Sequence, residues 1–181
     1  MKKIRILGYV TPGFKWKYRV NWLISAWTLS KYSHVEIWVA NDIGFFDKSD
    51  WDYMWQPLGT CYTATMRGED NGTVKRDASL VLDHPENWEY IELEISDELY
   101  DKLIIWMDFQ VANNLGYSKW DLLNFLSPIH LPDNRRNICS EFVGNALYVI
   151  RIFLVWGIIT PKEVIKRLIA KGYKPKKLRS K

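Results

Sequence analysis

The amino-acid sequence predicts an α+β fold in which a small antiparallel β-sheet is packed with helices. Segments with strand periodicity fill the first half of the chain, and the connections between them are rich in turn residues, which favours antiparallel pairing. From Ser96 onward, the apolar residues recur at helical spacing. Of the 181 residues, 48% are hydrophobic, so one domain of this length can bury a core without disulfide or metal support.

The strands are predicted from alternation of apolar and polar residues. The clearest example is SHVEIWVA at residues 33–40, where aliphatic side chains alternate with His34, Glu36 and Trp38. Successive side chains of a strand point to opposite faces, so we expect the aliphatic set to face the core and His34 and Glu36 to share the other face. The other strands are predicted at residues 4–10, 60–66, 73–75 and 88–95, with Asn71-Gly72 as the hairpin signal before 73–75.

The helices are predicted from apolar periodicity and from end signals. The best-marked one covers residues 160–172, where Thr160 is the cap, Pro161 the first helical residue and Gly172 the stop, with Glu163 completing a capping box. Ser96 is expected to cap a long helix that ends near residues 113–116. Further helices are predicted at 17–32, with Val20, Leu23, Ile24 and Trp27 on the buried face, at 118–126, and as a buried helix across 146–159.

The chain carries no internal repeat or linker, which predicts one domain over residues 1–172. This domain includes an acidic and aromatic insertion at 41–59, for which we hypothesise a substrate-facing role. The net charge is +4, and residues 162–181 hold nine Lys or Arg against one Glu. We expect the basic segment 173–181 to be a flexible tail, with contact to nucleic acid or an anionic membrane as the alternative, although the sequence contains no specific nucleic-acid motif.

The N-terminal segment MKKIRILGYV is expected to form a strand rather than a signal peptide, because Arg5 interrupts its apolar run and no small-residue cleavage site follows. The predicted compartment is therefore a reducing cytoplasm, which disfavours a disulfide between Cys61 and Cys139. The cysteines and histidines show no paired ligand spacing, so the sequence predicts no metal site and no cofactor.

Cys139 lies in RRNICSEFVGNAL, behind a loop at 127–137 that contains two prolines. Asn137 can cap the helix that follows, which places Cys139 in its first turn, where the helix dipole stabilises a thiolate. The alternative is a small core residue, because a single buried cysteine is more often packing than chemistry. Cys61, on a predicted strand, is interpreted as a half-buried packing residue.

A thiol with an ordinary pKa of about 8.5 needs a base to become a nucleophile at neutral pH. Of the three histidines, only His34 lies on a regular strand, since His84 and His130 fall in a turn and a loop. Rigid elements hold catalytic geometry better than loops do. Glu36 shares the face of His34 and can orient the imidazole, with Thr63 as the alternative orienter. A His-x-Glu strand is also a common satisfied polar pair, and this interpretation stays open.

The segments SHVEIWV, CYTAT with the following RGEDNGTVKR turn, GYSKWDLL, NICSEFVGNAL and ITPKEVIKRL resemble, in this order, the permuted NlpC/P60 papain-like group. The similarity is greatest to the YiiX/YaeF-like branch and its bacteriophage-encoded relatives, in which the catalytic histidine also precedes the cysteine. It covers roughly residues 30–170 and depends mainly on SHVE and CSEFV. The resemblance implies a circularly permuted papain-like architecture with Cys139 as the nucleophile, His34 as the base and Glu36, or Thr63, as the third residue.

The function that this resemblance implies is a cysteine-dependent hydrolase of the amidase, peptidase or thioesterase type. Such an enzyme acts on a peptide, amide or acyl substrate through an acyl-enzyme. One alternative is an acyltransferase or lipid-directed enzyme that uses the same residues. The other is a catalytically inert phage-type protein that binds a host factor, located in the host cytoplasm if the chain is phage-encoded.

Overall fold

Six antiparallel strands form one sheet in the computed structural model, which confirms the α+β class. The structure describes residues 1–12, 19–40, 59–65, 71–81, 84–114, 116, 138–153 and 159–178. The strands are β1 (Lys2–Val10), β2 (Tyr32–Val39), β3 (Thr60–Thr65), β4 (Gly72–Asp77), β5 (Trp88–Ile95) and β6 (Lys176–Lys177), in the sheet order β4-β3-β2-β1-β5-β6. The helices are α1 (Arg19–Trp27), α2 (Ala78–Val81), α3 (Asp97–Ala112), α4 (Cys139–Val149) and α5 (Pro161–Ala170), with a 3-10 turn at Pro85–Asn87.

The two faces of the sheet follow from the register of the central strand β1, which pairs with β2 on one side and β5 on the other. Leu7 and Tyr9 of β1 lie opposite Glu36 and His34 of β2, so these four side chains share one face, which we call the histidine face. The intervening residues of both strands point to the other face. Helices α3, α4 and α5 cover that side, which we call the helix face.

Each face has its own hydrophobic cluster. The smaller cluster, on the histidine face, consists of Leu7, Tyr9, Trp38, Cys61, Ala78 and Trp88. Strand β2 is buried along its whole length, because both of its faces are covered, and the predicted orientation of its aliphatic residues is confirmed. The bulkiest fully buried members of the larger cluster, on the helix face, are Phe142, Ile4, Ile6, Ile37, Ile91, Leu93, Leu103, Met107, Ile138, Leu147 and Ile159.

Two predicted helix starts are confirmed. The Ser96 hydroxyl accepts a hydrogen bond from the Leu99 N–H at 3.3 Å, before the first turn of α3. Thr160 accepts in the same way from the Glu163 N–H at 3.1 Å, with Pro161 as the first residue of α5. In both cases the cap satisfies an N–H that the helix itself cannot pair.

Helices α4 and α5 end in the same backbone motif, in which a left-handed residue follows the helix and the next N–H reaches back to a carbonyl of the last turn. At α5 the left-handed residue is the predicted stop, Gly172, with φ 91°. At α4 it is Arg151, with φ 59°. The prediction of a buried helix across 146–159 is therefore wrong at residues 150–153, because α4 ends at Val149 and Arg151 is left-handed, while residues 154–158 lie outside the described part of the chain.

The basic segment near the end of the chain is partly ordered by the sheet. Lys176 and Lys177 pair with Tyr90 and Glu89 of β5, and the Leu178 N–H donates to the Trp88 carbonyl at 3.1 Å. The sequence predicted a flexible tail from residue 173. The structure differs because backbone pairing with β5 holds Lys176 and Lys177, although these residues have no strand periodicity of their own.

One residue of α1 that the sequence predicted to be buried lies at the surface. In α1, Leu23 is 54% exposed, which contradicts its predicted burial. The insertion at 41–59, apart from Gly59, lies outside the described residues, as do the helix predicted at 118–126 and the loop at 127–137. Among the helices that the structure describes, none combines the length and the apolar composition that a membrane crossing needs.

Candidate functional site

His34 lies directly after an irregularity in the pairing of β1 with β2. Tyr9 is opposite His34, whereas the next residue, Val10, is opposite Tyr32, so Ser33 is left between the two pairs. This is the arrangement of a β-bulge, which bends the strand and re-aims its side chains. The bulge therefore contributes to where the imidazole points.

The two residues before the histidine are held by polar contacts. The Thr11 hydroxyl donates to Ser33 Oγ at 2.8 Å. The Tyr32 hydroxyl donates to the Glu89 carboxylate, which also accepts from Lys31 Nζ at 2.7 and 2.8 Å. Burial, with a further effect of the bond to Glu89, raises the pKa of Tyr32 far above its ordinary value. Tyr32 therefore keeps its proton at neutral pH and donates it to Glu89.

The Tyr32 ring occupies space that Gly8 leaves on β1. A Cβ added at Gly8 would lie 2.9 Å from Cδ1 of Tyr32, closer than side-chain carbons approach one another. Gly8 is also the residue of β1 that pairs with Glu89. The missing side chain thus lets the ring cross β1 and place its hydroxyl on the carboxylate.

His34 is bound by both of the residues that the sequence offered as orienters. Its Nε2 lies 2.9 Å from Glu36 Oε1 and 3.2 Å from Thr63 Oγ1. The three side chains are almost inaccessible to solvent, at 5% for His34 and 0% for Glu36 and Thr63. The structure therefore brings together three of the four predicted site residues.

The contacts of Nε2 determine which ring nitrogen carries the proton. A carboxylate can only accept a hydrogen bond, so Nε2 is the protonated nitrogen when it contacts Glu36. In the neutral tautomer with hydrogen on Nε2, the other nitrogen, Nδ1, is the basic atom. The contact with Glu36 thus orients the ring through Nε2, and Nδ1 is the basic atom of the neutral ring.

Arg76 is a further member of this polar cluster. Its Nη2 donates to Glu36 Oε1 at 3.0 Å, the same oxygen that contacts His34. Arg76 lies on β4 opposite Cys61 of β3, and its side chain is 21% exposed. The Glu36 charge is therefore balanced by a guanidinium as well as being shared with the imidazole.

Cys61 is a fully buried member of the histidine face, rather than the half-buried residue that the sequence predicted. Burial raises the pKa of the Cys61 thiol well above its ordinary value, and the negative charge of Glu36 raises it further against an opposing effect of Arg76. A thiol in this environment stays protonated, so Cys61 is a poor nucleophile although Glu36 and Arg76 lie close enough to act on it.

Cys139 is the first residue of α4, as predicted, and its side chain is 4% exposed. The residue that precedes the helix is Ile138, whose N–H donates to the Glu141 carboxylate at 3.2 Å, while Asn137 lies outside the described residues. The Ser140 hydroxyl donates to the Ile159 carbonyl. Ser140 and Glu141 thus have structural hydrogen-bonding roles at the start of α4.

Cys139 and His34 belong to different faces of the sheet. Cys139 is part of the larger cluster, in which α4 packs on the aliphatic residues of β2 and β3, whereas His34 faces Tyr9 and the Trp88 ring. Both cysteines are free thiols. No group of His, Cys, Asp or Glu with the arrangement of a metal site occurs within the described ranges.

Sequence reasoning missed Arg76, because the signal that places it beside Glu36 is the β3–β4 register. A two-residue turn at Asn71-Gly72 pairs Arg76 with Arg67. In the structure the connection is longer: Thr65 pairs with Gly72, and Arg76 therefore lies opposite Cys61. The hairpin is confirmed, whereas its predicted turn position is wrong.

No protein-family model matches this chain, and no curated protein matches its sequence significantly.

Proposed function

We propose that this protein is a cysteine-dependent hydrolase of the amidase, peptidase or thioesterase type, with Cys139 as the nucleophile and His34 as the base. The observation that carries the proposal is the double contact of His34 Nε2 with Glu36 and Thr63, because it fixes the ring and makes Nδ1 the basic atom of the neutral imidazole. A circularly permuted papain-like architecture, implied by the sequence resemblance, is part of the same proposal.

In the proposed reaction, His34 Nδ1 takes the thiol proton as the Cys139 sulfur attacks the substrate carbonyl carbon. The negative charge moves to the carbonyl oxygen, which backbone N–H groups of the first turn of α4 can stabilise, since those groups point out of the helix. When the intermediate collapses, Nδ1 returns the proton to the leaving group. Water then attacks the acyl-enzyme, with His34 again accepting a proton, and the acid and the Cys139 thiol are regenerated.

The proposal requires the Cys139 sulfur and His34 Nδ1 to come within hydrogen-bond reach during catalysis. The two residues start from different faces, so the approach has to occur around the end of β2, beside the bulge, rather than through the sheet. Catalytic contacts are often long in the absence of substrate and shorten in the reactive complex.

A non-catalytic binding protein is the second candidate, and the placement of Cys139 favours it. The Cys139 thiol is packed in the helix-face cluster, and the network of His34, Glu36 and Arg76 lies on the other face. A papain-like fold without catalytic activity would have the same arrangement. Such a fold would serve as a scaffold for binding a host protein.

The deciding experiment is the rate of iodoacetamide alkylation at each cysteine, resolved by peptide mass spectrometry from about pH 4 to about pH 9. It compares the wild type with His34→Ala, and His84→Ala is the matched control because the His84 side chain is exposed and lies outside the strands, before the 3-10 turn. Cys61, which is buried in the same protein, is the internal reference.

A hydrolase requires Cys139 to react faster than Cys61 near neutral pH and to slow by at least about 10²-fold in His34→Ala, the low end of general-base contributions. His84→Ala should leave both rates unchanged. Equal rates for the two thiols, with no response to His34→Ala, would exclude the enzyme and support the binding protein. A fast Cys139 then justifies screening amide and thioester substrates.

A further inference from the structure

Arg76 has no part in the proposed bond-making steps, yet it contacts the residue that holds the base. Glu36 Oε1 accepts hydrogen bonds from His34 Nε2 at 2.9 Å and from Arg76 Nη2 at 3.0 Å. Since both nitrogens bind one oxygen, the imidazole and the guanidinium are within the roughly 6 Å over which one charge alters the protonation of another. The two groups therefore compete for the same negative charge.

We infer that Arg76 is a positioning residue for His34, and that by occupying Glu36 Oε1 it keeps the imidazole neutral in the resting protein. This inference rests on the proposed function, in which His34 is the base. It adds how the nucleophile is activated: His34 acts as a general base on an uncharged Cys139 thiol, and the two residues do not form a thiolate–imidazolium pair beforehand.

Three electrostatic effects favour the neutral imidazole. Glu36 alone would favour a charged imidazolium, but the fixed positive charge of Arg76 already balances it. Burial of His34, at 5% exposure, disfavours a further charge because solvent is excluded. Two cations on one carboxylate oxygen also repel each other, so the neutral ring is the form that this arrangement accommodates best.

Other titratable groups of the neighbouring strands do not reverse this balance. Cys61 keeps its proton, since its pKa is raised chiefly by burial, and Arg5 is paired with Glu92 through a 3.1 Å hydrogen bond. The titratable groups on the histidine face of the described strands, besides His34, are Lys3, Arg5 and Tyr9 on β1, Glu36 on β2, Cys61 on β3, Arg76 on β4, Tyr90, Glu92 and Glu94 on β5, and Lys176 on β6.

The test is an NMR titration of the His34 ring in ¹⁵N-labelled protein, which reads the protonation state and the tautomer directly. In the wild type at about pH 6, below the ordinary histidine value of about 6.5, we expect a neutral ring with its proton on Nε2. A charged imidazolium at that pH would overturn the inference, and this measurement needs no variant.

The variant series separates charge from fold. Arg76→Gln should move the titration midpoint of His34 upward by about one pH unit relative to the wild type, the low end of single-charge effects, while Arg76→Lys should leave it near the wild-type value. The matched control is Lys75→Gln, which removes the same charge from the adjacent residue, whose side chain pairs with Asp108 on α3. It should leave the midpoint unchanged.

An unchanged midpoint in folded Arg76→Gln, or an equal shift in Lys75→Gln, would contradict the inference. The outcome is independent of catalysis, because the ring is observed without substrate. If Cys139 is unreactive while His34 is neutral and its titration midpoint depends on Arg76, the proposed hydrolase is excluded and the role of Arg76 stands. If Cys139 is reactive while His34 is charged, the hydrolase stands and the role of Arg76 is excluded.

Discussion

The two faces of the sheet are stabilised in different ways. The helix face buries mainly aliphatic and aromatic side chains between the strands and α3, α4 and α5. The histidine face buries charged partners beside its apolar cluster, including the Glu36 pairs with His34 and Arg76. Apolar burial contributes to stability directly, whereas buried ion pairs pay a desolvation cost close to their attraction. The difference locates most of the apolar stabilisation on the helix face, and the candidate base with its polar partners on the histidine face.

The largest effect is expected on the helix face. Phe142 is fully buried on α4 and stacks on Trp106 with ring centroids 5.4 Å apart. Phe142→Ala should lower the free energy of unfolding by about 4 kcal/mol, through lost apolar burial and the cavity left behind. Urea denaturation measures the change. Tyr148→Ala, on the exposed side of the same helix, is the control and should stay within about 0.5 kcal/mol.

A change on the histidine face should act through charge rather than volume. Glu36→Leu leaves Arg76 without its carboxylate in a mostly buried position and should cost about 3 kcal/mol. Replacing both Glu36 and Arg76 by Leu should recover most of that loss in the same denaturation assay. If the double variant is as unstable as the single one, the pair is stabilising and the contrast between the faces fails.

An exposed ion pair provides the reference for that experiment. Glu98 and Lys102 pair across one turn of α3 at 2.6 Å, with side chains 75% and 54% accessible. Glu98→Ala should leave the free energy of unfolding nearly unchanged, because solvent screens such pairs.

A smaller effect with a defined pH dependence is expected at Glu89. Burial by itself raises the pKa of Glu89, but hydrogen bonds from Lys31 and Tyr32 outweigh it and leave the pKa below its ordinary value. A depressed carboxyl pKa contributes stability above the unfolded value of about 4.3, and this contribution is lost as the pH falls through the folded pKa. Tyr32→Phe should therefore cost about 1 kcal/mol at neutral pH and less in acid.

The measurement is urea denaturation of the wild type and Tyr32→Phe at about pH 7 and about pH 3, which lie on either side of the unfolded carboxyl pKa. Tyr148→Phe, an exposed tyrosine, controls for the loss of a hydroxyl. A difference between wild type and Tyr32→Phe that grows in acid would contradict the role assigned to the Glu89 carboxylate.

Backbone changes at the rim of the helix face should have effects of about the same size as Tyr32→Phe. Arg151 and Gly172 occupy equivalent left-handed positions after α4 and α5. Because only glycine adopts this conformation without strain, Gly172→Ala should destabilise the protein by about 1 kcal/mol, whereas Arg151→Gly should stabilise it by up to about 1 kcal/mol. Thermal denaturation of the two variants should give midpoint shifts of opposite sign.

The sequence predicted those parts of the fold that depend on local periodicity and on caps. The alternation in 33–40 placed His34 and Glu36 on one face, and Ser96 and Thr160 marked two helix starts. The sequence did not predict the contacts that depend on how strands distant in sequence pair with each other. The contact of Arg76 with Glu36 follows from the β3–β4 register, and the short strand β6 follows from an available edge of β5.

The relation between Cys139 and His34 also depends on tertiary packing. Strand alternation predicts the face of the sheet on which His34 lies. The face that α4 covers depends on where the apolar side of this helix packs, and the residues that mark the start of a helix carry no information about that packing. The assignment of these two residues as nucleophile and base stays a prediction that the alkylation experiment tests.

The position of β1 at the centre of the sheet has a consequence for how the chain folds as it is synthesised. This strand comes first, but its partner β5 follows much later, and the Arg5–Glu92 hydrogen bond joins residues 87 positions apart. At roughly 5–20 residues per second, an apolar strand edge stays open for several seconds on the ribosome. Non-local pairing of this kind also slows folding. The yield of soluble protein in a cell should therefore depend on chaperones that shield this edge until β5 emerges.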